Sequence, residues 1–268
     1  MIDDKSVLIA VASHVELRHA LGECYRLVQV DDLCNQELSG EANAFYSELS
    51  CFYDLWKQGF GGADYFGLVH YRRRFCGFNN VLYPVILSGL MGESITSPAQ
   101  PILSERGNWL ADLKTSLRSF VIPFLEVTPH EVIGLLDDAD ILLPNATGLF
   151  PSVGKQYERC HVASDLKEMR AVLMHMQPDY LEYFDVVLSS QSAHLFNMFI
   201  CRSALAGEYA EWLFPMLEEI ESRLPLQSRD QYQRRMPAFI AERLLNVFIA
   251  KRSLKAVELP VVIDLSYK

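Results

Sequence analysis

The chain has 268 residues, of which 50% are hydrophobic and 22% charged, an ordinary globular composition that excludes disorder, collagen and coiled coil as descriptions of the whole chain. Its length suits one large domain or two small ones, because single hydrophobic cores stop growing at roughly 250–300 residues. The formal net charge of -10 disfavours binding to nucleic acid through a broad basic surface, so no nucleic-acid partner is expected.

The N-terminus lacks the basic region and the long apolar stretch of a secretory signal. No run approaches the ~18 consecutive apolar residues of a membrane-spanning helix. We therefore expect the protein in the cytoplasm. Its six cysteines have wide, irregular spacing without a CxxC pair, which favours single reduced thiols over a zinc site or a disulfide framework.

The first part of the chain predicts three short strands and an amphipathic helix. Residues 7–12 (VLIAVA) form a continuous apolar run, typical of a strand buried on both faces, and residues 26–30 form a second strand. Residues 43–57 carry apolar side chains at helical spacing and are followed by glycines at 59, 61 and 62, which predicts a helix with a glycine stop. Residues 65–69 form a third apolar strand, which leads into a basic run at 70–74.

The later elements alternate between helix and strand. Residues 79–105 indicate an irregular excursion with three prolines, and residues 108–125 have amphipathic helical spacing. Thr128, Pro129 and Glu131 predict a helix start, with Thr at the N-cap. Strands are predicted at 139–144, 194–201 and 257–263, helices at 164–175, 178–189, 206–223 and 236–251, and a Pro/Gly loop from 145 to 154. This alternation indicates an α/β domain with a largely parallel sheet.

Polar side chains follow the first three predicted strands. Ser13 and His14 come after the first, Asp31 and Asp32 after the second, and residues 70–74 after the third. Ligands of open α/β sheets bind at the carboxyl ends of the strands. We therefore expect these side chains to line one crevice.

The basic run HYRRR at 70–74 indicates an anionic ligand, because arginines at a strand end form bidentate bonds to phosphate oxygens. Surface ion pairs with the excess of acids are the alternative. If the strand continues, alternation places Arg72 and Arg74 on one face and Arg73 on the other. The chain has no P-loop, dinucleotide-binding glycine motif, HExxH or nucleophile elbow.

The stretch at 43–57 (NAFYSELSCFYDLWK), followed by 64–75 (DYFGLVHYRRRF), resembles a bacterial family of capsular and exopolysaccharide synthesis glycosyltransferases of the HYRR type, some of them galactofuranosyltransferases. Further matches follow in order at Tyr157 and His161, then at 197–200, 211–214 and 242–244. The resemblance spans about residues 5–260 and is weakest from 80 to 125. It departs from the family pattern at Arg74, where an aromatic residue is usual.

The resemblance implies one GT-A-like (Rossmann-like) α/β domain over residues 1–268, with a mostly parallel central sheet flanked by helices. Residues 1–80 would form the nucleotide-sugar half, 126–268 the acceptor and catalytic half, and 80–125 a variable insertion. It also implies transfer of galactofuranose or another hexose, with inversion, from a UDP-sugar to a glycan or lipid-linked glycan acceptor in surface polysaccharide synthesis. A non-catalytic nucleotide-sugar or phosphate-binding module of an assembly complex is the alternative. Peripheral contact with the inner face of the plasma membrane is left open.

Two chemical roles follow from this resemblance. His70, Arg72 and Arg73 are expected to stabilise the departing diphosphate. A base must take the proton of the acceptor hydroxyl, and the candidates are Glu242, His161 and Asp230. Pairing of Glu242 with nearby arginines is one structural alternative, and a buried or acceptor-positioning role for His161 is another.

Nine further residues are expected to contact the nucleotide or a sugar: Ser13, His14, Asp32, Asn43, Glu48, Tyr71, His194, Asn197 and Arg243. Helix capping by Asn43 and a backbone-bonded core amide at Asn197 are the alternatives. No cofactor is expected, because arginine can neutralise a diphosphate without a metal. Asp138 and Asp140 spell DxD before a predicted strand and are the weaker alternative for binding a divalent metal.

Overall fold

A computed structural model of the protein describes residues 5–17, 21–30, 46–77 and 126–263. Asp31, Asp32, Asn43 and the predictions for 79–105 and 108–125 lie outside these residues.

The main sheet is built on three parallel strands, β1 (Val7–Ser13), β2 (Tyr25–Gln29) and β3 (Tyr65–His70). β5 (Ile141–Pro144) and β9 (Ala256–Leu259) also pair in parallel. β8 (Phe199–Arg202) lies between β3 and β5 and runs antiparallel to both. The order is β2-β1-β3-β8-β5-β9, so β8 is the reversed strand of this row, and the prediction of a mostly parallel sheet is confirmed.

Four short strands complete the pairing in the described part of the chain. β4 (Arg73–Phe75) folds back on the end of β3 and pairs with β10 (Val261–Ile263). β6 (Thr147–Gly148) and β7 (Ser192–Ala193) form a separate small sheet. The strand predicted at 257–263 is divided at Pro260, which has no N–H to donate to a neighbouring strand.

Helices flank the sheet as predicted. α1 (Glu48–Lys57) and α6 (Ser203–Arg223) pack on one face of the sheet. The same helical layer contains α3 (Val153–Cys160), α4 (Ser164–Met176), α5 (Leu181–Ser189) and α7 (Met236–Arg252). α2 (Pro129–Asp138) covers the other face. Thr128 caps α2 in a capping box with Glu131, as the sequence predicts. No helix within the described ranges combines the length and apolar character needed to cross a bilayer.

β1 is buried on both faces, which explains its unbroken apolar sequence. Ala10 and Ala12 join the core beneath α1 and α6, whereas Ile9 and Val11 join the core beneath α2. The last residue of β1, Ser13, lines the cavity described below.

Two local predictions were wrong, and the predicted start of the helix at residue 43 lies outside the described residues. Within those residues Tyr46 is helical, Ser47 interrupts the helix with a φ of 54°, and α1 runs from Glu48. The strand predicted at 194–201 starts at Phe199, because Phe196 and Asn197 have φ values of 78° and 51°. The loop predicted up to 154 already contains the start of α3, which is capped by Ser152.

Candidate active site

A cavity of about 920 Å³ opens at the carboxyl ends of β1 and β3. Its floor is formed by Ser13 and the residues 70–73, and its opposite wall by the first turns of α7 and the end of α3. Four guanidinium groups (Arg72, Arg73, Arg235, Arg243) and two carboxylates (Glu48, Glu242) line it. The cavity is therefore richer in positive charge than the acidic chain as a whole.

Arg72 reaches the cavity because the backbone turns directly after β3. Its Nε donates a 2.8 Å hydrogen bond to the hydroxyl of the buried Tyr71, and its guanidinium lies 5.1 Å from the centre of that ring. This contact fixes the side chain at the strand end. The alternation of Arg72 and Arg74 on one face applied only to a continuing strand, and β3 ends at His70, followed by a turn at Tyr71–Arg72.

Arg73 is half-buried at the start of β4. Its guanidinium lies 4.1 Å from the ring centre of Phe196, and its Nε is buried with no hydrogen-bond partner in the described structure. Burial lowers the pKa of Arg73, and the carboxylates of Glu48 and Glu242 oppose that effect. Arg72 and Arg73 thus line the same cavity, as the diphosphate hypothesis requires.

His70 is a neutral member of this strand end. Burial, followed by the charges of Arg73 and Arg72, lowers the pKa of His70 to about 3. Its Nδ1 accepts the backbone N–H of Arg72 at 3.2 Å. A neutral ring that accepts at Nδ1 carries its proton on Nε2, so His70 can serve as a hydrogen-bond donor without adding charge.

Glu242 lies opposite the arginines on α7 and is held by two donors. The backbone N–H of Phe196 donates to Oε1 at 3.0 Å, and Nη1 of Arg243 donates to Oε2 at 2.5 Å. The Glu242 side chain is 17% exposed and lines the cavity. Burial raises the pKa of Glu242, although the Arg243 charge opposes this.

Arg243 itself is almost fully buried. It donates to the carbonyl of Phe239 at 2.8 Å and to Oε1 of Gln156 at 2.7 Å, and its guanidinium lies 5.1 Å from the ring centre of Tyr157. These contacts leave little freedom to the guanidinium that supports Glu242. Arg243 therefore positions the carboxylate more directly than it could reach a sugar.

Three rings, His161, Tyr232 and Phe239, form a cluster on the α7 side of the cavity that we call the aromatic platform. His161 stacks on Phe239 at 4.0 Å between ring centres and on Tyr232 at 5.8 Å. Burial, followed by the charge of Arg243, lowers the pKa of His161 to about 4. The ring is therefore neutral near pH 7.

A family model with the description "Domain of unknown function (DUF4422)" matches residues 8–253. The chain belongs to this family. Among solved structures it is similar to the apo structure of the bifunctional glycosyltransferase WbbM, with a TM-score of 0.73 and 22% sequence identity. The similarity covers 98% of this chain and 46% of the WbbM chain, so this chain spans about half the length of that protein. It shows a shared fold. The comparison with curated proteins found no match.

In this DUF4422 chain, Arg235 is a cavity residue that the sequence analysis missed as a ligand contact. Its Nη2 donates to Oγ of Ser47 at 2.8 Å, and its guanidinium lies 5.6 Å from the ring centre of Phe239. Arg235 immediately precedes α7, in a short 3₁₀ turn (Gln233–Arg235). The basic pair at 234 and 235 before a helix start was the available signal, but nothing in the sequence shows that the turn faces β3.

The expected nucleotide contacts at the end of β1 do line the cavity. Ser13 is buried, and its Oγ donates to the carbonyl of Val15 at 2.6 Å, so the hydroxyl is already engaged with the backbone. His14 is exposed and meets the Tyr71 ring edge-on at 5.0 Å. Of this pair, His14 is the more accessible to a ligand, with its Nε2 3.5 Å from the Tyr71 hydroxyl.

Glu48 and Asn197 form a buried pair beside the arginines. Nδ2 of Asn197 donates to Oε1 of Glu48 at 2.9 Å and to the carbonyl of Ala238 at 3.1 Å. Glu48 lines the cavity, whereas Asn197 lies behind it. Asn197 therefore holds Glu48 close to Arg73 instead of lining the cavity itself.

Four predicted residues of the DUF4422 chain lie elsewhere. His194 bonds Glu258 at 2.8 Å outside the cavity lining, and Asp230 accepts the backbone N–H of Gln233 at 2.9 Å. Asp138 ends α2, and Asp140 accepts the backbone N–H of Lys255 at 2.7 Å. Within the described ranges, no group of three or more His, Cys, Asp and Glu residues is arranged to hold a metal ion.

Proposed function

We propose that this protein is a glycosyltransferase that moves a sugar from a UDP-sugar to a glycan acceptor. The observation that carries the proposal is one cavity that Arg72 and Arg73 line at the carboxyl end of β3 and that Arg235 and Glu242 line from the α7 side. The fold that the chain shares with the glycosyltransferase WbbM supports the same reading.

The arginines are the proposed diphosphate clamp. Transfer breaks the bond between the anomeric carbon and the β-phosphate oxygen, and negative charge accumulates on the departing UDP. Two guanidinium groups fixed at a strand end, with His70 as a neutral donor beside them, stabilise that charge without moving. Arg235 adds a third cation from the α7 side.

Glu242 is the proposed base. It takes the proton of the acceptor hydroxyl while the hydroxyl oxygen bonds to the anomeric carbon, and UDP leaves from the opposite face, so the configuration inverts. A carboxylate whose pKa is raised by burial is a stronger base than an exposed one. His161 stays the second candidate, and its lowered pKa makes it the weaker base.

The finer parts of the proposal follow the sequence resemblance. The donor is a UDP-hexose, and UDP-galactofuranose is the first candidate. The acceptor is a free or lipid-linked glycan of a surface polysaccharide. The strand ends of residues 1–80 hold the donor, and residues 126–268 hold the acceptor. The reaction takes place in the cytoplasm and needs no divalent metal. A lipid-linked acceptor would bring the protein to the inner face of the membrane.

The test is a thermal-shift screen of UDP and UDP-hexoses followed by a transfer assay with glycan acceptors. Loss of one charge-assisted contact, worth about 1.5–3 kcal/mol, should weaken UDP binding roughly 10- to 100-fold in Arg72→Ala or Arg73→Ala. Arg170→Ala is the control, since Arg170 forms an exposed ion pair with Asp185. EDTA should leave turnover unchanged.

Each alternative result has a clear reading. Unchanged UDP affinity in both cavity variants would overturn the diphosphate clamp. Saturable UDP binding without transfer to any acceptor would favour the non-catalytic binding module. A strict requirement for Mn²⁺ or Mg²⁺ would overturn the metal-free reading and return attention to Asp138 and Asp140.

A further inference from the structure

The aromatic platform is the feature of the cavity that donor binding leaves unexplained. Tyr232 is 52% exposed, an unusual exposure for a large ring that touches two others. It stacks on His161 with an interplanar angle of 17° and meets Phe239 at 5.1 Å between ring centres. Tyr157 supports His161 from behind at 4.6 Å. The platform is thus a supported aromatic surface that opens into the cavity.

The platform lies beside Glu242, the proposed general base. It lies away from the end of the cavity where the nucleobase is expected to bind. Tyr232 lies four residues before the start of α7, and Phe239 lies in the first turn of α7, one turn before Glu242. The charges of Glu242 and Arg243 act on the Tyr232 hydroxyl. His14, at the end of β1, contacts Tyr71, and Arg72 bonds the same Tyr71. Arg235, the third arginine of the proposed clamp, lies 5.6 Å from the ring centre of Phe239, so the clamp and the platform adjoin.

Polar groups surround the platform in a pattern that suits a sugar. The amide of Gln231 lines the cavity beside the rings, together with Gln156, whose Oε1 accepts from Arg243 and whose Nε2 donates to Sγ of Cys160. A hexopyranose chair presents a patch of axial C–H groups on one face and hydroxyls around its rim. Ring faces carry negative charge density that attracts such C–H groups, and amides bond the hydroxyls.

We propose that the aromatic platform binds the terminal hexopyranose ring of the glycan acceptor, stacked on Tyr232, with its reacting hydroxyl toward Glu242. This inference rests on the proposed transferase function for its biological meaning, but sugar binding to the platform can be measured without any donor. His161 and Phe239 act as positioning residues, because they support the Tyr232 ring from the protein side. A flat hydrophobic nucleobase is the competing occupant, and the test separates the two.

The experiment is saturation-transfer NMR on the whole protein with methyl hexopyranosides as probes and galactitol as a probe with similar hydroxyls but no ring face. In the wild type, the axial C–H protons of at least one methyl hexopyranoside should receive the strongest saturation, and galactitol should receive little. Tyr232→Ala should weaken the binding of that probe about tenfold or more, as expected for the loss of an aromatic contact together with its buried area. Tyr232→Phe should keep it.

Three further measurements make the result decisive. Met174→Ala removes another exposed apolar side chain, on α4 and outside the cavity lining, and should change nothing. UDP affinity by thermal shift should be unchanged in Tyr232→Ala, which also shows that this variant is folded. In a transfer assay, Tyr232→Ala should raise the KM for the acceptor about tenfold while the KM for the donor stays constant.

The inference and the proposed function fail separately. Saturation of no hexopyranoside, or equal saturation in wild type and Tyr232→Ala, would overturn the platform assignment even if the enzyme transfers sugar. Loss of UDP affinity in Tyr232→Ala would assign the platform to the nucleobase and would also overturn it. Hexopyranoside binding that depends on Tyr232, in a protein that turns over no donor, would support the platform and contradict the transferase.

Discussion

Glu242 shows how single contacts prepare a group for chemistry. Its two oxygens have different fixed partners, the backbone N–H of Phe196 and the guanidinium of Arg243, so the carboxylate cannot rotate freely. Burial raises its pKa above the ordinary value of 4.5, and the positive charge of the adjacent Arg243 opposes this rise. The result is a positioned carboxylate that binds a proton more tightly than an exposed one does.

Replacing Glu242 by Gln should reduce kcat about 10²- to 10⁴-fold, the usual contribution of a general base, with little change in UDP affinity. The amide oxygen can still accept the N–H of Phe196. In the wild type, kcat should fall as the pH drops through the raised pKa of Glu242, because protonation removes the base, and this acid limb should vanish in Glu242→Gln. The measurement is a pH–rate profile of both proteins above pH 4.5.

The control for this change is Glu182→Gln, an exposed carboxylate of α5 outside the cavity, which should leave kcat and its pH profile unaltered. His70 and His161, with pKa values of about 3 and 4, are neutral through the same range and should add no limb near pH 7. Normal turnover in Glu242→Gln would transfer the base role to His161.

Residues that follow a strand were predictable, and residues brought together by turns were not. His70, Arg72 and Arg73 follow a clear apolar strand, so their place at a sheet edge could be read from local sequence. Arg235 and Tyr232 are more than 150 residues away and enter the cavity through short turns before α7. Their positions depend on tertiary packing, which no local pattern encodes.

At the scale of elements, β3 is the central support of the site. It pairs with β1 along its whole length and with β8 over its first four residues, and it then ends in the turn that carries Arg72. Gly67 lies in its middle, where a Cβ would come within 2.8 Å of Cγ1 of Ile200 and 3.3 Å of the carbonyl of Phe199. Both neighbours belong to the β8 side of the sheet.

Gly67→Ala should therefore lower the free energy of unfolding by about 1–3 kcal/mol, the usual cost of overpacking a core. Gly134→Ala is the matched control, because a Cβ there meets nothing within 4 Å and Gly134 lies in α2. It should raise stability by up to about 1 kcal/mol through helix propensity. Urea denaturation of the two variants checks the opposite signs, and equal effects would contradict the packing argument.

Long periodic elements were predictable, and their interruptions were not. The bounds of α4, α6 and α7 differ from the predicted ones by three residues at most, because each has a sustained apolar face. β8 starts five residues late, since Phe196 and Asn197 adopt left-handed backbone that an apolar run does not reveal. That irregular segment places the Phe196 N–H on Glu242, so the failed prediction coincides with a contact to the proposed base.

At the scale of the whole molecule, the three adjacent arginines divide between the cavity and the interior. Arg72 and Arg73 line the cavity, whereas Arg74 is 2% exposed and pairs with Glu126 at 2.6 Å. Glu126 also accepts the backbone N–H of Gly22 at 2.8 Å. Through this pair, Arg74 of β4 contacts Glu126, which precedes α2, and Glu126 in turn contacts Gly22, which precedes β2. Three segments that are distant in sequence are therefore connected in the interior.

Removing one partner of this pair should be far more costly than breaking a surface pair. Arg74→Met leaves Glu126 buried without its counter-charge, which typically costs about 3–5 kcal/mol, whereas Arg170→Ala breaks an exposed pair worth about 1 kcal/mol or less. Adding Glu126→Gln to Arg74→Met should recover most of the loss, because the amide can still accept the N–H of Gly22.

The pH dependence of stability in the same variants tests whether the uncompensated charge of Glu126 causes the loss. Burial already raises the pKa of Glu126, and Arg74 opposes that rise, so Arg74→Met should raise the pKa further. A carboxyl whose folded pKa is above its unfolded value contributes stability at low pH that is lost as the pH rises through the folded pKa. The deficit of Arg74→Met relative to wild type should therefore be largest near pH 7 and shrink toward acid, whereas the double variant should show no such slope. Urea denaturation across this range decides the point, and a deficit of equal size at every pH would mean that lost packing, and not the uncompensated charge, destabilises Arg74→Met.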